Sequence, residues 1–363
     1  MVTLHQMDFF AGKRVAITGA GGTVGSELVR ILLQHSVTEV RALDTNENAL
    51  FRLGQDFDED KRFQAFVCDV RNESKLLSMF KDMDFVFHAA ALKHVPLSER
   101  SPSEAVLTNI TGVQNVIRAA QFNKVDRVLF TSSDKAVNPT NVMGTTKLMG
   151  ERLMTAANAL NNGGDKTVFA STRFGNVAGS AGSVIPLFCQ QIMMGGPVTL
   201  TDVNMTRFMM TLDEAVRLVM KSIEIACGGE VFVIKMPVVR IADLAEALID
   251  LVAPIYGRAP SSIEIRIIGP RPGEKQYEEL STSEESRRLL EIGDMYAVLP
   301  AFRNIYDGIA YEYGDMKAKQ TNIVYNSEDQ SVKTREEILE LLHEPTVLPE
   351  EIRLQLPKRV RVA

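Results

Sequence analysis

The stretch RVAITGAGGTVGSELVRILL, residues 14–33, decides the fold. A short run of β-branched and small apolar residues ends at Thr18, a glycine-rich turn follows, and apolar residues then recur at helical spacing on one face. This reads as buried strand, tight turn and helix. Gly19, Gly22 and Gly25 stand where a turn must be tight, where backbone must come close to a pyrophosphate, and where a helix must pack on a sheet. The helix start, with Thr23 and Val24, adds N–H groups and the positive end of the helix dipole. Three glycines alone also fit an ordinary strand-to-helix turn; the strand before and the helix after favour a dinucleotide cradle.

Working outward, EVRALD, RFQAFVCD, DFVFHAA, RVLFTSS and TVFASTRF are further strand-like runs, separated by segments of helical period. The alternation predicts an α/β fold: a Rossmann-like, doubly wound parallel sheet covered by helices on both faces. Asp44 follows Gly25 by 19 residues at the end of the second strand, where a carboxylate accepts hydrogen bonds from an adenosine ribose. With Asn46 beside it and no Arg following, Asp44 favours NAD over NADP; its alternative role is a helix N-cap. Asp69 and Val70 face the adenine edge in this reading, and Ala89, Ala90 and Ala91 leave room for the cofactor past the fourth strand. After Asn176 the pattern loosens: a helix in VIPLFCQQIMM, a short strand in PVTLTD, a helix in IADLAEALIDLV. The expected division is a NAD-binding domain over 1–178, with 208–240 packing back onto it. A smaller C-terminal substrate-binding lobe takes 179–207 and 241–300, and residues 301–363 form an extension or oligomer arm.

Composition narrows the class. With 45% hydrophobic and 24% charged residues among 363, the chain is that of a soluble globular enzyme. No apolar run approaches the ~18 residues that span a bilayer, and MVTLHQMDFFAGKR lacks the pattern of an export signal, so the expectation is a cytoplasmic protein that does not enter membranes. A net charge of −6 offers no general attraction to nucleic acid. Cys68, Cys189 and Cys227 lack metal-ligand spacing and read as small core residues, and no metal is expected.

The reacting centre is TSSDKAVNPTNVMGTTK, residues 131–147. GxxGxxG, HAAA, Asn109 in LTNITG and the closing Lys147 together resemble the extended short-chain dehydrogenase/reductase family. HAAALKHVPLSE, SSDKAVNPTNVMGTTK, STRFGNVAGSAGSVIPLF, MTRFMMTLDEAVRLV and IGPRPGEK are similar, more closely, to nucleotide-sugar 4,6-dehydratases acting on N-acetylated hexosamines such as UDP-N-acetylglucosamine. The C-terminal extension lies outside the resemblance.

In that superfamily a Tyr four residues before the Lys takes the proton from a sugar hydroxyl. Here the position is Met143, and a thioether exchanges no proton. The resemblance implies a branch in which the Asp134–Lys135 pair performs the elimination, Ser133 accepts or relays the C4 hydroxyl proton, and Lys147 holds the nicotinamide ribose. Lys135 acts as a base only if desolvation or a cationic neighbour brings its pKa far below the usual ~10.4. Thr131 and Asn109 complete the expected cofactor contacts. The expected product is a 4-keto-6-deoxy sugar nucleotide, with retention at C5, NAD being regenerated.

A sugar nucleotide carries a diphosphate, which Arg binds well. Arg207 and Arg271, with Asn176, Lys93, His94 and Glu274, are the candidate substrate contacts; His94 can also be merely a satisfied polar residue, and Glu274 can pair locally with Lys275. The resemblance further implies a homo-oligomer of two or more copies and leaves UDP or GDP open. Two other readings compete: an epimerase or reductase on the same scaffold, which the missing Tyr opposes, and a catalytically silent NAD-binding protein, which the retained Asp134, Lys135 and Lys147 oppose.

Overall fold

Strands buried on both faces need near-continuous apolar runs, and β1 (Arg14–Thr18), β2 (Glu39–Asp44), β4 (Phe85–His88), β5 (Arg127–Thr131) and β6 (Val168–Arg173) provide them, while β3 (Phe63–Val67) is a partly exposed edge. The computed structural model describes residues 9–159, 167–180, 182–306, 308–314 and 316–356. The chain forms two compact units. The first holds the described residues through Phe174, Ala215–Lys235 and Glu279–Tyr325; the second holds Gly175–Glu214, Met236–Glu278 and the described residues from Asn326.

The second unit contains β7 (Asn176–Val177), β8 (Val198–Leu200), β9 (Thr206–Met210), β11 (Val238–Arg240) and β12 (Ile265–Ile267), and the first continues with β10 (Val231–Ile234), β13 (Leu289–Ile292), β14 (Met295–Val298) and β15 (Ala318–Thr321). In the first unit β3, β2, β1, β4, β5, β6 and β10 lie side by side in that order and run parallel. Chain order reverses between β1 and β4, so the carboxyl ends of those two strands open the crevice where such sheets bind ligands. Registers Thr18↔Leu43 and Thr18↔His88 bring the ends of β1, β2 and β4 level. Helix Thr23–Gln34 buries Leu28, Val29, Leu32 and Leu33, the apolar stripe seen in its sequence.

Three antiparallel strands extend the sheet beyond β10 in the order β14, β13, β15. This departs from the expected division: residues 279–300 belong with the large sheet rather than the lobe, and the described part of the extension is shared, up to Tyr325 with the first unit and from Asn326 to residue 356 with the second. The reason is a two-residue turn, Gly293-Asp294 with Gly293 at φ +54°, which folds β13 onto β14 and presents an edge for β15.

The second unit has a three-stranded sheet, β11-β9-β7, and a pair, β12-β8. Its core gathers Ile185, Phe188 and Ile192 of helix Val184–Met194, Leu244 and Leu248 of Ile241–Val252, and Ile338 and Leu342 of Arg335–Leu342. That last helix opens with a capping box between Thr334 and Glu337. Cys68 and Cys189 are buried as expected, but Cys227 is only half-buried. No helix among the described residues is long and apolar enough to cross a membrane.

Candidate active site

The glycine-rich turn is shaped by close backbone approach. Gly19 has φ +72°, and a methyl group on it would lie 2.5 Å from the Ala90 nitrogen, so the turn abuts the end of β4. A methyl on Gly25 would lie 2.1 Å from the Gly19 carbonyl oxygen. Gly22 stands at the N-cap of Thr23–Gln34, which has no side-chain cap and no acidic residue in its first turn. Backbone N–H groups without an intrahelical partner are what a pyrophosphate binds at a helix start. Asp44 accepts from the Gly21 N–H at 2.8 Å and the Asn46 N–H at 2.9 Å, which fixes its carboxylate at the mouth of the turn. The N-cap of the following helix is Asn46, taking the Ala49 N–H at 3.1 Å, so the alternative reading of Asp44 as a cap does not hold. Gly21 is an addition to the expected set: a methyl there would sit 2.7 Å from the Ala49 Cβ.

Asp69 is clasped by Arg71, whose guanidinium beside it holds the carboxyl below the usual carboxylate range. Val70 is buried, and its carbonyl accepts from the Asn115 amide at 3.0 Å. Ala89, whose N–H donates to the Thr18 carbonyl at 3.0 Å, Ala90 and Ala91 are half-buried beyond β4. Cradle, carboxylate and small strand end therefore suit a dinucleotide.

At the end of β5 the chain turns through Asp134–Ala136, a short 3-10 helix. Asp134 is fully buried, and one of its oxygens, Oδ1, accepts from the Ser133 hydroxyl at 2.6 Å, the Lys135 N–H at 2.9 Å and the Lys135 ammonium at 3.0 Å. Its other oxygen, Oδ2, is buried without a hydrogen-bond partner among the described residues, as is the Ser132 hydroxyl. Buried polar atoms are nearly always satisfied, so these two, both at the end of β5, leave hydrogen-bonding capacity that water or a bound group can take up. The Lys135 side chain keeps 30% of its surface exposed and reaches solvent from the same turn.

Helix Val142–Ala157 delivers Met143 and Lys147. Asn141 caps it through the Gly144 N–H at 2.8 Å, and a methyl on Gly144 would lie 2.1 Å from the Lys135 carbonyl oxygen, so this glycine lets the helix seat against the Asp134–Lys135 turn. Met143 is 3% exposed. Lys147 donates to the Thr131 carbonyl at 2.8 Å and lies 4.5 Å from the centre of the Phe130 ring; burial pushes its ammonium down to about 8, against the pull of Glu151. His88, which sequence reasoning passed over, is buried on the same ring at 5.5 Å and shares a 2.7 Å hydrogen bond with Thr18; burial, then Lys147, holds it neutral with a pKa of about 3. A histidine closing an apolar strand was its only signal.

Asn109 sits on a π-helical turn, Leu107–Thr111, a distortion that often accompanies functional sites. Its amide is committed to protein: Oδ1 accepts from the Leu92 N–H at 2.8 Å, and Nδ2 donates to the Leu92 carbonyl at 3.0 Å and the Thr146 hydroxyl at 2.9 Å. It ties the loop after β4 to the helix of Lys147. Lys93 and His94 follow on that loop, both exposed, with His94 at the N-cap of Val95–Arg100.

The remaining candidates belong to the second unit. Arg207 is 6% exposed and donates to the carbonyls of Thr206 at 2.7 Å, Lys275 at 2.8 Å and Gln276 at 3.2 Å, with Glu278 3.5 Å and Glu274 3.8 Å away. Arg207, expected as a contact for the substrate's diphosphate, braces the 274–278 segment through these bonds. Glu274 takes the Arg271 N–H at 3.0 Å and the Thr201 hydroxyl at 3.4 Å. Arg271 is exposed on that braced turn, and Asn176 is half-buried on β7.

Comparison with known proteins gives the family. Residues 15–300 match the model of a family described as polysaccharide biosynthesis protein. An uncharacterized membrane protein of Methanocaldococcus jannaschii is 47% identical over 94% of this chain and 98% of its own. A UDP-N-acetylglucosamine 4,6-dehydratase (inverting) of Campylobacter jejuni is 38% identical over 81% of this chain and 85% of its own, and a UDP-glucose 4-epimerase of Rickettsia bellii is 38% identical over 95% and 99%. The X-ray structure of Pen from Bacillus thuringiensis superposes with a TM-score of 0.86 at 42% identity, covering 94% of this chain and all of that one. The chain belongs to the polysaccharide biosynthesis protein family of extended short-chain dehydrogenase/reductase proteins.

Proposed function

We propose that the chain is an NAD-dependent nucleotide-sugar 4,6-dehydratase, acting on a UDP-linked N-acetylhexosamine such as UDP-N-acetylglucosamine. The observation that carries this reading is the Ser133–Asp134–Lys135 trio: hydroxyl and ammonium meet on one carboxylate oxygen of a buried Asp whose second oxygen has no partner among the described residues. Bound in the glycine cradle, NAD supplies a hydride acceptor that later returns the hydride.

Proton traffic falls to the trio. The C4 hydroxyl gives its proton to Ser133 as Ser133 passes its own to Asp134, 2.6 Å away. Protonating Asp134 removes the carboxylate paired with the Lys135 ammonium, which then gives a proton to solvent, toward which 30% of its side chain is open, and becomes the neutral amine. Lys135 then takes the C5 proton made acidic by the C4 ketone, and the C6 hydroxyl leaves as water with the proton held by Asp134. Lys135, whose amine protons exchange with solvent, finally delivers a proton to C5 on the face from which it took one, which gives retention, and regains its own ammonium proton from solvent. Atoms balance: the sugar loses one water. Arg271 and Asn176 contact the nucleotide sugar, Arg207 and Glu274 brace the turn of Arg271, and Asn109 positions the loop of Lys93.

The test is purified protein with NAD+ and UDP-N-acetylglucosamine in deuterated water, followed by NMR. Expected is a 4-keto-6-deoxy product with one deuterium at C5 and unchanged C5 configuration; Lys135→Ala should lose elimination and keep NAD+ binding. Full activity in that variant removes Lys135 from the mechanism. The Rickettsia bellii relative supports a second reading, 4-epimerisation; it requires a 4-epimer without deuterium at C5. No turnover on any nucleotide sugar would leave a silent NAD-binding protein.

A further inference from the structure

Behind the reacting centre lies a buried charge cluster that the proposed mechanism does not use. Arg173, on β6, is 1% exposed and faces two carboxylates. Its Nε and one terminal nitrogen donate to Glu151 at 2.8 and 2.6 Å; its terminal nitrogens donate to Glu285 at 2.8 Å each and to the Leu280 carbonyl at 3.1 Å. All five guanidinium N–H groups are thereby used. Glu151 and Glu285 are 1% and 2% exposed. Two carboxylates against one guanidinium leave an excess negative charge away from water, which is costly unless a cation stands close. On the Glu285 side, Arg152 is 3.9 Å away with its side chain half-exposed, and Arg288 adds positive charge while paired with Glu284; Glu151 faces the other way.

The cation with the matching need is Lys147. It lies four residues before Glu151 on helix Val142–Ala157, on the same face, and both are buried. The contacts it makes with other elements among the described residues are to the Thr131 carbonyl and Phe130 ring of β5, with the neutral His88 of β4 nearby. Glu151 is the carboxylate that pulls Lys147 toward its charged form, and Arg173 holds both Glu151 oxygens.

We propose that Glu285 is a positioning residue for Lys147: through Arg173 it completes a triad whose surplus negative charge keeps the Lys147 side chain cationic in its apolar surroundings. Lys147 stands on the Glu151 side of the triad and Arg152 and Arg288 on the Glu285 side, so the segment carrying Glu285, over a hundred residues downstream, acts through Arg173 on the charge state of a side chain assigned to the cofactor.

The test reads Lys147 directly. Lysine labelled with 13C at Cε is incorporated, the Lys147 resonance is assigned by its loss in Lys147→Arg, and its pH titration is followed without cofactor or sugar. The expected midpoint is about 8 in the wild type; Glu285→Gln should lower it by about one pH unit, a tenfold change in acidity, and Glu285→Asp should restore most of the shift. An unchanged midpoint in Glu285→Gln would overturn the proposal. Should that variant not fold, the wild type still decides: a Lys147 midpoint below about 6, as for a buried lysine lacking a counter-charge, would equally overturn it. Because the site assignment rests on the proposed function but the titration needs no turnover, absence of dehydratase activity would count against that function alone.

Discussion

At Met143 the proposed chemistry is most exposed to refutation. The side chain is 3% exposed and cannot move a proton, so it contributes shape. Met143→Leu, a near volume-conserving change, should cost less than about 1.5 kcal/mol in stability and leave turnover within severalfold of wild type, as measured by urea unfolding and product formation. A loss of several orders of magnitude would mean that the sulfur does more than pack. Residues whose chemistry sits in one contiguous run were legible from sequence: Ser133, Asp134 and Lys135 share a turn, and Gly19, Gly22 and Gly25 share another. Arg207 was not. Its hydrogen bonds run to carbonyls of Lys275 and Gln276, and backbone acceptors that distant leave no mark on the residue types near Arg207. Asn109 is expected from sequence as a cofactor contact, whereas its hydrogen bonds run to Leu92 and Thr146, partners that only the fold brings together.

Among the elements, helix Val142–Ala157 matters most, because its seating aligns Lys147 with the Asp134–Lys135 turn. Gly144 makes that seating possible. In Gly144→Ala, the new methyl would meet the Lys135 carbonyl, a backbone group that yields only if the turn or the helix shifts. The expected outcome is a fall in kcat of tenfold or more with little change in NAD+ affinity, since a displacement of ~1 Å at reacting groups can cost about a hundredfold; stopped-assay kinetics and calorimetry check it. Parallel strands and their crossover helices were readable because period and apolar runs are local signals. The hairpin at Gly293-Asp294 carried a local signal too, a two-residue turn between apolar runs, yet whether β13 and β14 join a large sheet or a small one depends on β10 as their neighbour. β15 pairs mostly through exposed residues, so no apolar pattern announced it.

For the molecule as a whole, the buried triad sets a response to acid. Burial alone would raise the Glu285 carboxyl, but Arg173 brings it down to about 2, against 4.5 for a free glutamate. A carboxyl depressed in the folded state adds stability above the unfolded value and loses it as pH falls from 4.5 toward 2, a contribution of about 3 kcal/mol. Unfolding midpoints in urea at pH 7, 4.5 and 3 should drop steeply over the last interval, and Glu285→Gln should be less stable at pH 7 while losing part of that slope. The route of the chain carries a different consequence. It passes from the first unit to the second and back, so that the large sheet is finished only by Glu279–Tyr325, after most of the second unit has been laid down. On a ribosome, the early strands must therefore wait, incomplete at one edge, until residue 325 has left the exit tunnel. A nascent chain stalled near residue 280 would offer that open edge to chaperones and to its neighbours on the same message.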